Sequence, residues 1–359
     1  MDIQPRDAEQ GVQKSSLQDI ACKQQQTNGE QANSDSKEPE QKCGEINGEG
    51  EGQITKFNSK EEVKKNGSLT NNFSIVSLSE IQLEDRLFNI TEIYNVELSP
   101  TSISIAYDAY LKRNVIIKKI FKDKIDKLQT KQAILECQQT CSLDHFNIVK
   151  GYDYYEKEKE FILIMELVND ADYFQEKVEN CHTPIKNELK LKSYVTDILN
   201  GLIYLHDKGF IHCDLKLANI FCEKHESDDD GVQIRRVKIG DLGLLQKIDA
   251  ETKTAYLEET CGTFGFKAPE AKKGAHITQQ SDMWSLGVIL YFMTVAYMPH
   301  HMKGYKYGQG PVPFREFDWK KRSPELRDFV QKMLSLDPSQ RPTAREALQH
   351  PFLSLCSID

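Results

Sequence analysis

Residues 212–219 read His-Cys-Asp-Leu-Lys-Leu-Ala-Asn, and Asp241-Leu242-Gly243 follows after a strand-like run and a turn. Phosphoryl transfer asks little of a protein beyond a few well-placed groups. A carboxylate must orient the attacking hydroxyl and take its proton, and Asp214 suits that task. Hard oxygen ligands must hold Mg²⁺ against the phosphates, as Asn219 and Asp241 can. A cation such as Lys216 offsets charge on the transferring group. Alone, each is an ordinary polar residue; their order and spacing carry the reading.

These groups need a scaffold, and the chain supplies one from about residue 91. Strand-like runs cover residues 94–98, 103–110 and 114–120, a helix-like stretch covers 130–143, and two more strands are expected near 148–155 and 161–167. After residue 185 helical spacing dominates: Val195, Ile198, Leu199 and Leu202 share one face of a helix ending near Gly209. Ser323-Pro324 reads as an N-cap with proline in the first turn, and Thr343 with Glu346 as a capping box. The expected class is α+β: a small β-rich lobe followed by a larger helical lobe.

Residues 1 to about 85 differ in kind. Gln24-Gln25-Gln26 and Gly48-Glu49-Gly50-Glu51-Gly52 have neither period, and such polar sequence cannot bury enough apolar surface to offset chain entropy. This segment is expected to be a disordered tail, with a short apolar patch at 73–76 or 81–87 docking on the folded part. No run reaches the roughly 18 apolar residues of a membrane span, and Met1-Asp2-Ile3-Gln4-Pro5 does not open a secretory signal. A net charge of −9 argues against nucleic acid as main partner. Nine cysteines without a CxxC pair read as reduced thiols, Cys137 and Cys141 sharing a helix face, in the cytoplasm or the nucleus.

The segment at 212–219 resembles the catalytic loop of the eukaryotic protein kinases, and Asp241-Leu242-Gly243 resembles their metal-binding turn. Val115-Ile116-Ile117-Lys118 is similar to the family's third strand. The resemblance therefore implies that Lys118 clamps the ATP α/β-phosphates and that Glu136 pairs with it. Met165-Glu166-Leu167-Val168 resembles the hinge, where backbone groups at Glu166 and Val168 would hold adenine, with Asp172 in reach of the ribose. Gly262-Thr263, Ala268-Pro269-Glu270 and Ser281-Asp282-Met283-Trp284 resemble the end of an activation segment and the start of the buried central helix. Asp282 would hold the catalytic-loop backbone, and Arg341 would pair with Glu270. The resemblance covers roughly residues 91–353, an N-lobe over 91–168 and a C-lobe over 169–353, leaving 354–359 as a short tail. Lys216 and Gly262-Thr263 resemble the serine/threonine branch. ATP and Mg²⁺, and protein substrates with Ser or Thr acceptors, are implied; oligomeric state is left open.

Three departures stand out. The family's phosphate loop G-x-G-x-x-G is expected on the first hairpin, where the three positions read Ser99, Thr101 and Ser104, with no glycine to bring backbone close to phosphate. Cys213 replaces the arginine that in the family grips an activation-segment phosphate, so activity independent of phosphorylation at Thr252, Thr254, Thr260 and Thr263 is expected. Leu242 replaces phenylalanine, a change worth about 1 to 1.5 kcal/mol in an apolar slot. The first two keep open an alternative, a catalytically weak pseudokinase acting as scaffold or allosteric partner. The acidic run 226–231 is expected to be a solvated hairpin.

Overall fold

The computed structural model describes residues 83–225 and 234–354. The expected tail, but for residues 83–85, the acidic run 226–231 and residues 355–359 lie outside the described residues.

A single helical turn, α1 (Leu83–Arg86), leads into β1 (Leu87–Asn95), β2 (Thr101–Asp108) and β3 (Arg113–Phe121). Then come helix α2 (Lys127–Ser142), β4 (Gly151–Glu156) and β5 (Glu160–Glu166). The strands form one antiparallel sheet in the order β1-β2-β3-β5-β4. Alternation decides its faces. Ala106, Val115, Ile117, Ile162 and Ile164 pack with Leu83 and Leu87 on one side, while Ile120, Phe161 and Leu163 pack against Ala133 and Cys137 of α2 on the other.

The strand β1 starts well before the expected residue 94, because bulges between Phe88 and Thr91 and between Glu92 and Tyr94 break the alternation that marks a strand. Helix α2 starts three residues before the expected 130. Asp126 caps it, accepting from Gln129 N at 2.8 Å while Gln129 Oε1 accepts from Asp126 N at 2.9 Å. The docking of residues 81–87 is seen from Leu83 on, and it has an ionic part. Buried Arg86 donates to Asp108 (2.7 Å), Asp153 (2.9 Å) and Tyr155 (2.9 Å), tying the turn to β2 and β4.

The second lobe holds α3 (Glu188–Asp207), the short β6 (Phe210–Ile211), the hairpin β7 (Ile220–His225) and β8 (Ile234–Ile239), and β9 (Gln246–Lys247) pairing with β6. A short antiparallel pair, β10 (Ala255–Tyr256) with β11 (His276–Ile277), leads to α4 (Gln280–Val295), then α5 (Glu316–Trp319), α6 (Pro324–Met333), α7 (Ala344–Leu348) and α8 (Pro351–Ser354). Helix α4 is buried on every side from Ser281 to Thr294, as a helix apolar all round must be. Ser323 caps α6 and Thr343 with Glu346 boxes the start of α7, both as expected.

Candidate active site

A cavity of 510 Å³ lies between the sheet and the helical lobe. Ile93, Ile103 and Ile116 roof it from β1, β2 and β3, Met165–Val168 form its back edge, and Phe221 and Leu242 lie on its floor. Charged groups enter from opposite sides. Lys118 stands on β3 with its Nζ 2.5 Å from Glu136 Oε1 of α2 and 3.1 Å from Asp241 Oδ1. Burial opposes charge on Lys118, but the two carboxylates more than offset it and hold the ammonium above its ordinary range. The same ammonium, against burial, draws the Asp241 carboxyl below its usual value. Burial raises Glu136, and Lys118 partly reverses that.

Asp241 takes a left-handed backbone (φ +55°), which aspartate tolerates better than most residues with a Cβ. Two residues on, a Cβ on Gly243 would lie 3.0 Å from Glu136 Oε2, so glycine there lets the turn pass beside α2. Asp214 is buried and one hydrogen bond from the cavity wall. Asn219 Nδ2 donates to its backbone oxygen (2.9 Å) and to its Oδ2 (3.2 Å). Lys216 Nζ lies 2.9 Å from Asp214 Oδ2 and 3.1 Å from Thr263 Oγ1, and Thr263 in turn donates to Asp214 Oδ1 at 2.6 Å. From sequence the threonine reads as a modification site and, with Gly262, as part of an activation-segment end resembling the serine/threonine branch; its contact with Asp214 spans 49 residues and has no further local signal.

The loop carrying Asp214 is held from below. Asp282, at the start of α4, accepts from the backbone N–H of His212 (2.8 Å) and Cys213 (3.0 Å), and its Oδ2 is 2.9 Å from His206 Nε2. Burial works against the charge on Asp282, but these partners hold its carboxyl below the ordinary value. They also brace Cys213, whose φ of +69° is unusual for a residue with a Cβ. Arg341 meets both carboxylate oxygens of Glu270 (2.6 and 3.0 Å).

Glu166, Val168 and Asp172 line the same cavity. The Glu166 side chain is turned to Lys238 of β8, Oε1 to Nζ 2.9 Å, and accepts from Lys150 N at 3.1 Å, which ties the back edge of the cavity to the strand leading into Asp241. Sequence reading missed Lys238, because nothing local distinguishes it from any strand lysine.

The phosphate-loop positions need correction. The turn between β1 and β2 spans residues 96–100, Ser99 and Thr101 meet through their hydroxyls (3.3 Å), and Leu98 at the tip is 91% exposed. Ser104 is not in the turn. It is buried inside β2 opposite Ile117, on the sheet face away from the cavity. With no glycine marking the bend, spacing alone counted it as a phosphate-loop position, although it falls inside the strand expected over 103–110.

A protein kinase domain model matches residues 101–353. The chain belongs to the eukaryotic protein kinase family. It is 31% identical over 248 residues to the serine/threonine-protein kinase DCLK3 of Mus musculus, covering 67% of this chain and 29% of that protein. It is 30% identical over 245 residues to a calcium/calmodulin-dependent protein kinase of Metarhizium anisopliae, covering 67% and 61%, and 30% over 247 residues to a probable myosin light chain kinase of Dictyostelium discoideum, covering 67% and 60%. The chain thus spans less than two thirds of the length of each of these relatives. In this kinase domain the sheet and α2 form the smaller lobe and α3 to α8 the larger. Among the described residues no helix is long and apolar enough to cross a membrane.

Proposed function

We propose that the chain is an ATP-dependent protein kinase that transfers the γ-phosphate to serine or threonine hydroxyls of protein substrates, in the cytoplasm or nucleus. The observation that carries this reading is the convergence of Lys118, Glu136, Asn219 and Asp241 on one cavity, with Asp214 one hydrogen bond away. The cavity is large enough for a nucleotide, and its apolar roof over a polar floor suits a planar base above charged phosphates. Backbone groups of Glu166 and Val168 would hold adenine, Asp172 would stand beside the ribose, and Lys118 would take the α/β-phosphates.

Asp241 and Asn219 fit a magnesium site. Both line the cavity, and the hydrogen bonds of Asn219 use its Nδ2, leaving the amide oxygen as a hard donor. Mg²⁺ typically takes one or two protein oxygens and fills the rest with phosphate and water. Among the described residues no cluster of three or more His, Cys, Asp or Glu competes for a metal. When bound, the ion would neutralise charge on the phosphates. Asp214 would orient the substrate hydroxyl and receive its proton, with Lys216 stabilising charge on the phosphoryl group. Thr263, now on Asp214, would exchange that bond for one from the incoming hydroxyl. The serine/threonine assignment draws on Lys216 and Thr263 and on the similarity to the serine/threonine-protein kinase DCLK3.

A weaker reading, a pseudokinase scaffold, draws on one observation: the turn at 96–100 carries valine, leucine and proline where close backbone approach to phosphate favours glycine. Mg²⁺-dependent transfer from labelled ATP to a generic basic protein, beside Asp214→Asn and Lys118→Met, separates the two. Transfer abolished by both substitutions is expected. A folded wild-type chain as silent as its variants would put the scaffold reading first.

A further inference from the structure

The turn between β1 and β2 has no glycine, but it is tightly held. Within it, the Ser99 N–H donates to the Val96 carbonyl at 2.8 Å, and the Ser99 hydroxyl accepts from the Thr101 N–H at 3.2 Å. Two further anchors come from the segment where β3 ends. The Phe121 N–H donates to the Pro100 carbonyl at 2.8 Å. Lys124 closes the single tight helical turn Lys122–Lys124. Its ammonium donates to the carbonyls of Glu97 (2.5 Å) and Ser99 (3.1 Å) and lies 5.0 Å from the centre of the Phe121 ring. The lysine thus grips the residues on both sides of Leu98, the exposed tip.

That grip orients the backbone donors of the turn. A peptide unit is planar and trans, so a carbonyl drawn to Lys124 sends the N–H of the same unit the opposite way. The Ser99-Pro100 unit has no N–H. The Glu97-Leu98 unit has one, and the Leu98 N–H has no partner among the described residues. Strand pairing places the turn along the cavity. Glu166 lies opposite Val115, Ile103 opposite Lys118, and Thr101 opposite Ile120, so the turn and Lys118 share the end far from Glu166. Ile93 and Ile103, on the strands flanking the turn, belong to the cavity roof.

We propose that Lys124 is a positioning residue that straps the 96–100 turn at the phosphate end of the cavity and presents the Leu98 N–H to a phosphate oxygen of the nucleotide. This rests on the nucleotide reading above. In the family's glycine-rich form, backbone freedom lets the turn settle onto the phosphates. Here a side chain from the β3 end fixes the turn beforehand, and a donor held in place before binding loses less entropy when its ligand arrives. The base end of the cavity, at Met165–Val168, lies on a separate segment that the strap does not reach.

The test is calorimetric binding of ATP with Mg²⁺, and of adenosine, to the whole chain and its variants. Lys124→Met should weaken ATP binding by about threefold to tenfold, the loss expected for exposed hydrogen bonds. Adenosine, which carries no phosphate, should bind as before, and Lys124→Arg should restore most of the ATP affinity. Lys122→Met is the charge control. It removes one positive charge from the same helical turn, but that ammonium is held by Glu156 at 2.7 Å, and ATP binding should match wild type. Equal losses for ATP and adenosine in Lys124→Met would mean that the lysine only supports the lobe, and an equal loss in Lys122→Met would mean that only net charge matters. Either overturns the proposal, as does ATP binding that Lys124→Met leaves intact. A folded wild-type chain that binds neither ligand removes the nucleotide reading itself, and this proposal falls with it.

Discussion

Replacing Asp282 with asparagine should disable the catalytic loop while leaving the nucleotide cavity intact. The Asp282 carboxylate is 1% exposed and accepts three hydrogen bonds, two from the backbone N–H groups of His212 and Cys213 and one at His206. Asparagine keeps one oxygen and turns an NH₂ toward at least one of those donors. Oriented to satisfy His212 and His206, it abandons the Cys213 N–H. Losing a charge-assisted bond costs about 1.5 to 3 kcal/mol, and a buried donor left without a partner about 1 to 3. These overlap, so a net loss of about 3 kcal/mol is a fair figure. The lost bond is also the one that braces Cys213 in its left-handed conformation, which for a residue with a Cβ costs about 1 to 2 kcal/mol. Release of the loop is then favoured at the residue next to Asp214. At 1.36 kcal/mol per decade, kcat should fall about 100-fold. The KM for ATP should hold, because Lys118, Glu166 and Val168 sit on other elements. Steady-state kinetics with a parallel thermal melt provides the check. A kcat within about threefold of wild type, when some 3 kcal/mol is predicted to be lost, would refute the reasoning. So would an effect confined to the KM for ATP.

Three further outcomes are expected. Leu98→Gly removes an exposed side chain from the tip of the 96–100 turn and frees its backbone, so the KM for ATP should fall a few-fold with kcat little changed; a rise in KM would count against a phosphate-covering role for this turn. Arg341→Met strands Glu270 after removal of a guanidinium that is itself fully buried, and urea denaturation should register a loss of about 3 kcal/mol; no shift in midpoint would mean the pair is energetically idle. Lys118→Met should show a pH-dependent deficit. Asp241 is held below its unfolded value by Lys118, so its contribution is present above about pH 3.9 and lost as pH falls through the lower folded value; the raised Lys118 contributes below about pH 10.4 and loses this above it. The stability gap between wild type and variant, read from urea midpoints, should be widest between these limits and shrink toward both; a gap constant from neutral to pH about 3 would show that the pair does not behave as charged partners.

Much of the site was legible because it is local. Asp214, Lys216 and Asn219 sit within six residues, and one short loop brings them together whatever surrounds it. Asp241 lies at the end of a hairpin that pairs Ile220 with Ile239, so chain connectivity alone returns it to Asn219. The cap at Ser323 and the box at Thr343 are one-turn signals and fell where expected. Legibility failed where the signal is weak or blurred. Bulges hid the start of β1, and the absence of glycine hid the turn before β2, so Ser104 was counted as a phosphate-loop position although it is buried on the sheet face away from the cavity.

The sequence by itself determined the groups that could do chemistry, their order, and a β-rich lobe before a helical one, because side-chain type and short-range periodicity are properties of the chain alone. Tertiary structure decided which distant groups meet. Thr263 reaches Asp214, Gly262 passes beside the Cys213 carbonyl, and Lys238 ties Glu166 to the strand before Asp241, while the hold of Asp282 on the loop, expected from the resemblance, gets its reach across 68 residues from the fold. No local pattern encodes those contacts. The Asp282 contact exists because α4 is apolar on all sides and must be buried at the centre of the lobe, which brings its first turn beneath the catalytic loop.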